Sequence, residues 1–162
     1  MASGSFFFIV GPSGAGKDSL IDGARQKLDP TQFIFATRTI TRPADSGGEA
    51  HQACTQSEFA QLEQQGKFLI TWQAHNLSYG LPSTLLEALA AGQHVIANGS
   101  RAMVAQLNER VPNLVVVEIG AAESLDPALE ADVADTLATI ATLLVAGITI
   151  STHQWHRARW RF

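Results

Sequence analysis

An α/β fold built on a central parallel sheet is predicted by three features of this 162-residue chain. An apolar pentad, Phe6-Phe7-Phe8-Ile9-Val10, runs directly into the glycine-rich stretch Gly11-Pro12-Ser13-Gly14-Ala15-Gly16-Lys17. Short apolar runs recur at 33–37, 68–72, 94–97 and 114–119, with helical segments between them, the alternation of strand–helix–strand units. Polar clusters beginning at Gly11, Arg38 and Asn98 each follow an apolar run, which places them at the carboxyl ends of strands, where such sheets bind ligands.

Taken in order, residues 6–10 read as a strand buried on both faces, since no polar residue interrupts them. A helix is predicted over 18–28, ended by Asp29-Pro30. The run 33–37 is a short buried strand, and 38–49, with Arg38, Arg42, Pro43 and Gly47-Gly48, reads as a loop carrying two cations. Ser57 caps a helix that continues through Gln65 and stops at Gly66. Residues 68–72 form a strand, and Ser78-Tyr79-Gly80-Leu81-Pro82 a turn. Thr84 and Glu87 have the spacing of a capping box for a helix that ends at Gly92. The strand at 94–97 leads into Asn98-Gly99-Ser100-Arg101, a helix to Val111 follows, and 114–119 is a further buried strand.

Length implies one domain with a real core, and a hydrophobic content of 46% with 16% charged residues fits a soluble α/β protein. A formal net charge of −4 argues against a nucleic-acid partner. Cys54 is the only cysteine, which excludes an internal disulfide and a thiolate metal cluster. Met-Ala-Ser-Gly-Ser at the start lacks the cationic region of a secretory signal, and the expected location is cytoplasmic, with no membrane partner.

The stretch 11–17 matches Gly, four residues, Gly, Lys, a loop that cradles phosphates. Its glycines let successive backbone N–H groups converge on one hollow at a helix N-terminus, which favours anions. Gly11, Pro12, Ser13, Gly14, Ala15, Gly16, Lys17, Asp18 and Ser19 are therefore the candidate nucleotide-binding residues, with Lys17 reaching the β- and γ-phosphates. Asp18 stands where a Mg²⁺-binding hydroxyl usually follows the lysine, with Ser19 one place later. Its carboxylate is either a hard oxygen ligand for Mg²⁺ or an acid favourably placed on the positive end of a helix. Arg38 and Arg42 point to a second anion beside the nucleotide. Trp72, His75, Tyr79 and Gly80 add aromatic and polar groups nearby, with core packing the simplest role for the Trp72 ring and a phosphate contact open to the Tyr79 phenol.

In order, GPSGAGK, Thr41-Arg42-Pro43, Gly48-Glu49, Phe68-Leu69, Trp72 and Tyr79-Gly80 resemble the guanylate-kinase-like branch of P-loop kinases over roughly the first 120 residues. Within it, GPSGAGKDSL, TRTITRPADSGGEAH, WQAHNLSYGLP and ANGSRA are most similar to the ribose 1,5-bisphosphate phosphokinases of phosphonate breakdown, in which an aspartate after the lysine is usual. The resemblance implies a P-loop three-layer sandwich with a central parallel sheet, ATP and Mg²⁺ as cofactors, and a sugar bisphosphate as acceptor. It implies Lys17, Arg38 and Arg42 as catalytic residues, Asp18 at the metal, and Arg38, Arg42, Glu49, His51, Tyr79, Asn98 and Arg101 toward the acceptor. Thr71 precedes Trp72 where guanylate kinases carry a base-reading glutamate, and His51 replaces a tyrosine that helps hold their nucleotide, as suits an acceptor without a base. The expected reaction transfers the γ-phosphoryl group of ATP to ribose 1,5-bisphosphate. A catalytically impaired nucleotide-binding remnant and a guanylate or other nucleoside monophosphate kinase are the alternatives.

On this reading 1–162 is a single kinase domain, 38–82 an acceptor-binding insertion and 120–162 a divergent or incomplete lid. No Lys or Arg occurs between Arg110 and Arg157, whereas relatives carry an arginine-rich lid there. A reading-frame slip near residue 120 would produce such a break. Residues 133–150 are nearly all apolar or Thr, with Asp135 the one charge, and read as a buried helix and short strand rather than a membrane span. The tail from Trp155 is basic and aromatic and reads as a frayed terminus.

Overall fold

The computed structural model describes residues 3–46 and 50–119. Its first strand, β1 (Phe6–Val10), is completely buried and lies inside a parallel sheet. The other strands of that sheet are β2 (Phe33–Phe35), β7 (His94–Asn98) and β8 (Leu114–Glu118), in the order β2-β7-β1-β8. Ile9 pairs with Asn98 on one side, and Val10 with Glu118 on the other, so the end of β1 is flanked by both polar side chains.

The alternation of β1 divides the core. Phe6, Phe8 and Val10 pack with Leu69, Trp72, Leu81, Leu89 and Leu107 on one face. Phe7 and Ile9 pack on the other with Leu20, Ile21, Ala24 and Leu28 of the first helix and its end. That helix, α1 (Lys17–Lys27), starts at the glycine loop and carries Asp18 in its first turn, where an acid complements the helix dipole.

A second sheet runs in the order β4-β3-β6-β5, from β3 (Thr39–Ile40), β4 (Gln52–Ala53), β5 (Phe68–Ala74) and β6 (Leu77–Pro82). It is mixed, with β3 parallel to β4 and antiparallel to β6. Helices α2 (Gln56–Gln64), α3 (Leu85–Ala90) and α4 (Val104–Arg110) complete the elements, with a 3₁₀ turn at Arg101–Met103 before α4.

Four local expectations are corrected. The loop expected at 38–49 contains β3, whose two residues are too few to show a period. The cap of α2 is Thr55, not Ser57: its hydroxyl accepts from the Glu58 N–H while the Glu58 carboxylate accepts from the Thr55 N–H. The stretch expected to turn at 78–82 is strand β6, and the turn lies at His75 and Asn76, with φ of 51° and 60°. Thr84 makes no side-chain cap, because it already has helical backbone angles and the Glu87 N–H bonds to its main-chain oxygen. The readings of Glu49, of the lid at 120–162, of the apolar run 133–150 and of the tail lie outside the described residues.

Candidate active site

The glycine loop leaves β1 at the carboxyl edge of the parallel sheet and ends at Gly16, whose φ of 82° is accessible to glycine at little cost. A Cβ there would meet nothing, so the requirement is the backbone angle rather than space. The Lys17 ammonium donates to the carbonyls of Gly11 at 2.9 Å and Pro12 at 2.6 Å and is thereby held over the loop. Burial lowers its pKa, Asp18 opposes that shift and Arg38 adds to it. Asp18 accepts a hydrogen bond from Asn98 Nδ2 at 3.0 Å, which ties the start of α1 to the end of β7. Pro12, Ser13 and Gly14 are exposed on the rim, Ala15 is buried beneath it, and Ser19 is exposed on α1.

The two arginines bracket β3. Thr41 is fixed to β6, its N–H donating to the Ser78 carbonyl and its hydroxyl accepting from the Ser78 N–H, and Arg42 leaves the sheet from that point. The Arg38 carbonyl accepts from the Gln52 N–H of β4. The Arg38 guanidinium lies 5.2 Å from the centroid of Tyr79 and 5.9 Å from that of Trp72, in cation–π range of both. Those rings stack at 5.4 Å with 7° between their planes, because Trp72 and Tyr79 are direct cross-strand partners. Burial lowers the Arg38 pKa, Asp18 and Tyr79 oppose that shift, and Arg42 adds to it. Lys17, Asp18, Arg38, Arg42 and Tyr79 thus belong to one electrostatic neighbourhood spanning the two sheets.

His51, just before β4, contacts Arg42 twice: Nε2 lies 3.1 Å from the Arg42 carbonyl oxygen and Nδ1 lies 3.4 Å from Nη2. Arg101 is paired with Glu118 at the end of β8, so the pair straddles the end of β1; its side chain is 65% exposed. Trp72 packs in the core as expected, and its ring also faces the Arg38 guanidinium, a contact the sequence did not reveal. Residues 72 and 79 are equidistant from the turn at 75–76, so the pairing follows only once the turn is placed there rather than at 78–82. Gly99 also escaped notice. A Cβ there would stand 2.6 Å from the Phe8 ring and 3.3 Å from Trp72, so only glycine lets β7, β1 and Trp72 close on one another.

No family model matches the chain. It is 64% identical over 126 residues to a bifunctional ribose 1,5-bisphosphokinase-thymidine phosphorylase of Azorhizobium caulinodans, covering 77% of this chain and 18% of that protein. It is 49% identical to a ribose 1,5-bisphosphate phosphokinase of Agrobacterium fabrum over 68% of this chain and 61% of that one, and 45% identical to the Pseudomonas fluorescens enzyme of the same name over 71% and 60%. Over the matched stretch the chain is a homologue of the ribose 1,5-bisphosphate phosphokinases. It spans about a fifth of the bifunctional relative and about three fifths of the two single-function ones. A guanylate kinase of Anaplasma phagocytophilum superposes with a TM-score of 0.69 at 13% identity, over 92% of this chain and 89% of that one. The fold is therefore that of a guanylate-kinase-like P-loop protein. Among the described residues no helix is long and apolar enough to cross a membrane.

Proposed function

We propose that this chain transfers the γ-phosphoryl group of ATP to the 1-phosphate of ribose 1,5-bisphosphate, giving ADP and 5-phospho-α-D-ribose 1-diphosphate. The observation that carries the reading is that Arg38 interacts electrostatically with Lys17 of the glycine loop and with Arg42, in a chain homologous to these bisphosphokinases.

An oxygen of the 1-phosphate attacks the γ-phosphorus, a new P–O bond forms, and the β–γ bridging bond breaks with its electron pair leaving on ADP. A phosphate monoester with a second pKa of about 6 is mostly a dianion at neutral pH, so no general base is needed. The protein's task is alignment and neutralisation of crowded negative charge. Backbone N–H groups of 11–17 and the Lys17 ammonium hold the triphosphate, and Arg38 and Arg42 hold the acceptor, joined there by the Tyr79 phenol. Arg38, which interacts electrostatically with both Lys17 and Asp18, is assigned to neutralise charge on the transferring group.

Asp18 and Asn98 are a carboxylate and a carboxamide already in contact, and such hard oxygen donors suit Mg²⁺. They are the residues that would hold it, directly or through water, and when bound it would offset charge on the β- and γ-phosphates. Glu49 and Arg101 are assigned to the acceptor side by the family resemblance alone.

The test is an ADP-release assay on purified protein with ATP, Mg²⁺ and either ribose 1,5-bisphosphate or GMP. Turnover with the sugar bisphosphate alone is the expected result. Turnover with GMP alone, or nucleotide binding with turnover on neither acceptor, overturns it.

A further inference from the structure

We propose that His51 is a positioning residue that clamps the Arg42 guanidinium for an incoming phosphate; the purpose of the clamp, though not its existence, rests on the acceptor assignment above. A carbonyl oxygen only accepts, so the 3.1 Å contact to the Arg42 carbonyl puts the imidazole proton on Nε2. A ring protonated there and neutral has its lone pair on Nδ1, and Nδ1 faces Arg42 Nη2 at 3.4 Å, the long end of hydrogen-bond range. One imidazole therefore ties the side chain of Arg42 back to the main chain of the same residue.

The surroundings fit a clamp rather than a direct ligand. Both ring nitrogens are engaged by Arg42, which leaves neither to lead in binding a substrate. The ring is itself anchored, because the next residue, Gln52, pairs with Thr39 and donates to the Arg38 carbonyl. Arg42 Nε is buried and meets no hydrogen-bond acceptor among the described residues, while Nη2 of the same guanidinium faces His51. An arginine loses much rotamer freedom when it grips a phosphate, and freezing it beforehand lowers that cost at the moment of binding. A neutral imidazole suits the task better than a carboxylate. It orients the guanidinium without cancelling its charge, whereas a carboxylate would compete with the phosphate for the same N–H groups.

The experiment uses the full chain and reads two quantities: the ¹⁵N–¹H signal of Arg42 Nη2, the nitrogen that faces His51, and the calorimetric affinity for ribose 1,5-bisphosphate. His51→Phe keeps the ring but removes both polar contacts. His51→Asn keeps an oxygen close to the position of Nδ1. The clamp predicts a discrete, slowly exchanging Arg42 signal in the native protein, its loss in His51→Phe and its return in His51→Asn. Acceptor affinity falls about tenfold in His51→Phe and recovers to within about twofold in His51→Asn, with ATP affinity unchanged in both. In an Arg42→Ala background His51→Phe has no further effect, as expected of a residue acting through Arg42. If His51→Phe does not fold, His51→Ala carries the same expectations. An Arg42 signal indifferent to His51 overturns the clamp, and so does an equal loss of affinity with and without Arg42, which would make His51 a direct ligand. If the native protein binds no ribose 1,5-bisphosphate while the Arg42 signal still follows His51, the acceptor assignment fails and the clamp stands.

Discussion

Lys17 illustrates how much one side chain carries at the site. Its ammonium rests on the Gly11 and Pro12 carbonyls, away from the packed core, so removing it disturbs little of the fold. Lys17→Ala is expected to lower kcat by about a thousandfold, the scale for losing one preorganised cation or donor at a transition state. Its melting temperature should stay within a few degrees of the parent, as calorimetry would show; retained turnover would exclude this loop as the site of transfer. Gly99 behaves in the opposite way, because its requirement is space within the core. Gly99→Ala presses a methyl group on the Phe8 ring and on Trp72, and overpacking of this kind costs about 1–3 kcal/mol. Trp72 supports Arg38, so the same substitution should also raise the acceptor KM while leaving the ATP KM nearly unchanged. Equilibrium unfolding in urea and steady-state kinetics read the two effects separately, and an unchanged acceptor KM would mean that the Trp72–Tyr79 platform does not govern Arg38.

Among the elements, β7 carries a pH-dependent contribution at its first residue. His94 Nδ1 accepts from the Ser5 N–H at 3.0 Å, and its ring packs 5.1 Å from that of Phe33. Burial lowers the His94 pKa from its ordinary 6.5, so the unfolded chain takes up the proton first as pH falls. The contribution is complete above pH 6.5 and is lost progressively below it. Urea midpoints taken from pH 7.5 down to about pH 5.5 should fall, and His94→Asn, which keeps an acceptor but cannot titrate, should flatten that slope. An identical slope in the variant would place the effect elsewhere. The elements that were legible in the sequence are those with a strong local pattern: the unbroken apolar β1, the glycine loop, α1 up to its Asp29-Pro30 stop, and β7 with the polar cluster after it. The second sheet was less legible because its signals are tertiary. Gly80 and Pro82 look like turn residues, yet Gly80 is required in β6 because a Cβ would lie 2.6 Å from the Phe68 ring. Lys17, Arg38 and Arg42 could be named as candidate anion binders from chemistry alone. The stacking of Arg38 on Trp72 and Tyr79 depends on hairpin register, and the grip of His51 on Arg42 depends on where β4 meets β3; neither can be read from spacing without the turn at 75–76 and the two-residue strands.

For the molecule as a whole, the proposed reaction asks a protein with a formal net charge of −4 to bind two polyanions next to each other. Two opposing effects of salt follow, and distance decides between them. A domain of this length has a radius of gyration of about 15 Å, so its overall charge acts on a substrate mostly from beyond the Debye length of about 10 Å at 0.1 M salt. That repulsion is already screened at moderate ionic strength. On the proposed assignment, the attraction of the partly buried Lys17, Arg38 and Arg42 for phosphate acts at contact distances and weakens only as salt ions compete for the same N–H groups. From about 0.1 M upward the local attraction is therefore the term left to lose. The acceptor KM should rise monotonically, several-fold between about 0.1 and 0.5 M KCl, with kcat changing far less, since bound substrates are shielded from the added ions. Arg42→Ala should start from a higher KM and show a shallower rise, because one of the competing cations is gone. An acceptor KM that stays flat or falls across that range would show that the bisphosphate is not held by these guanidiniums and would move the acceptor site off the second sheet.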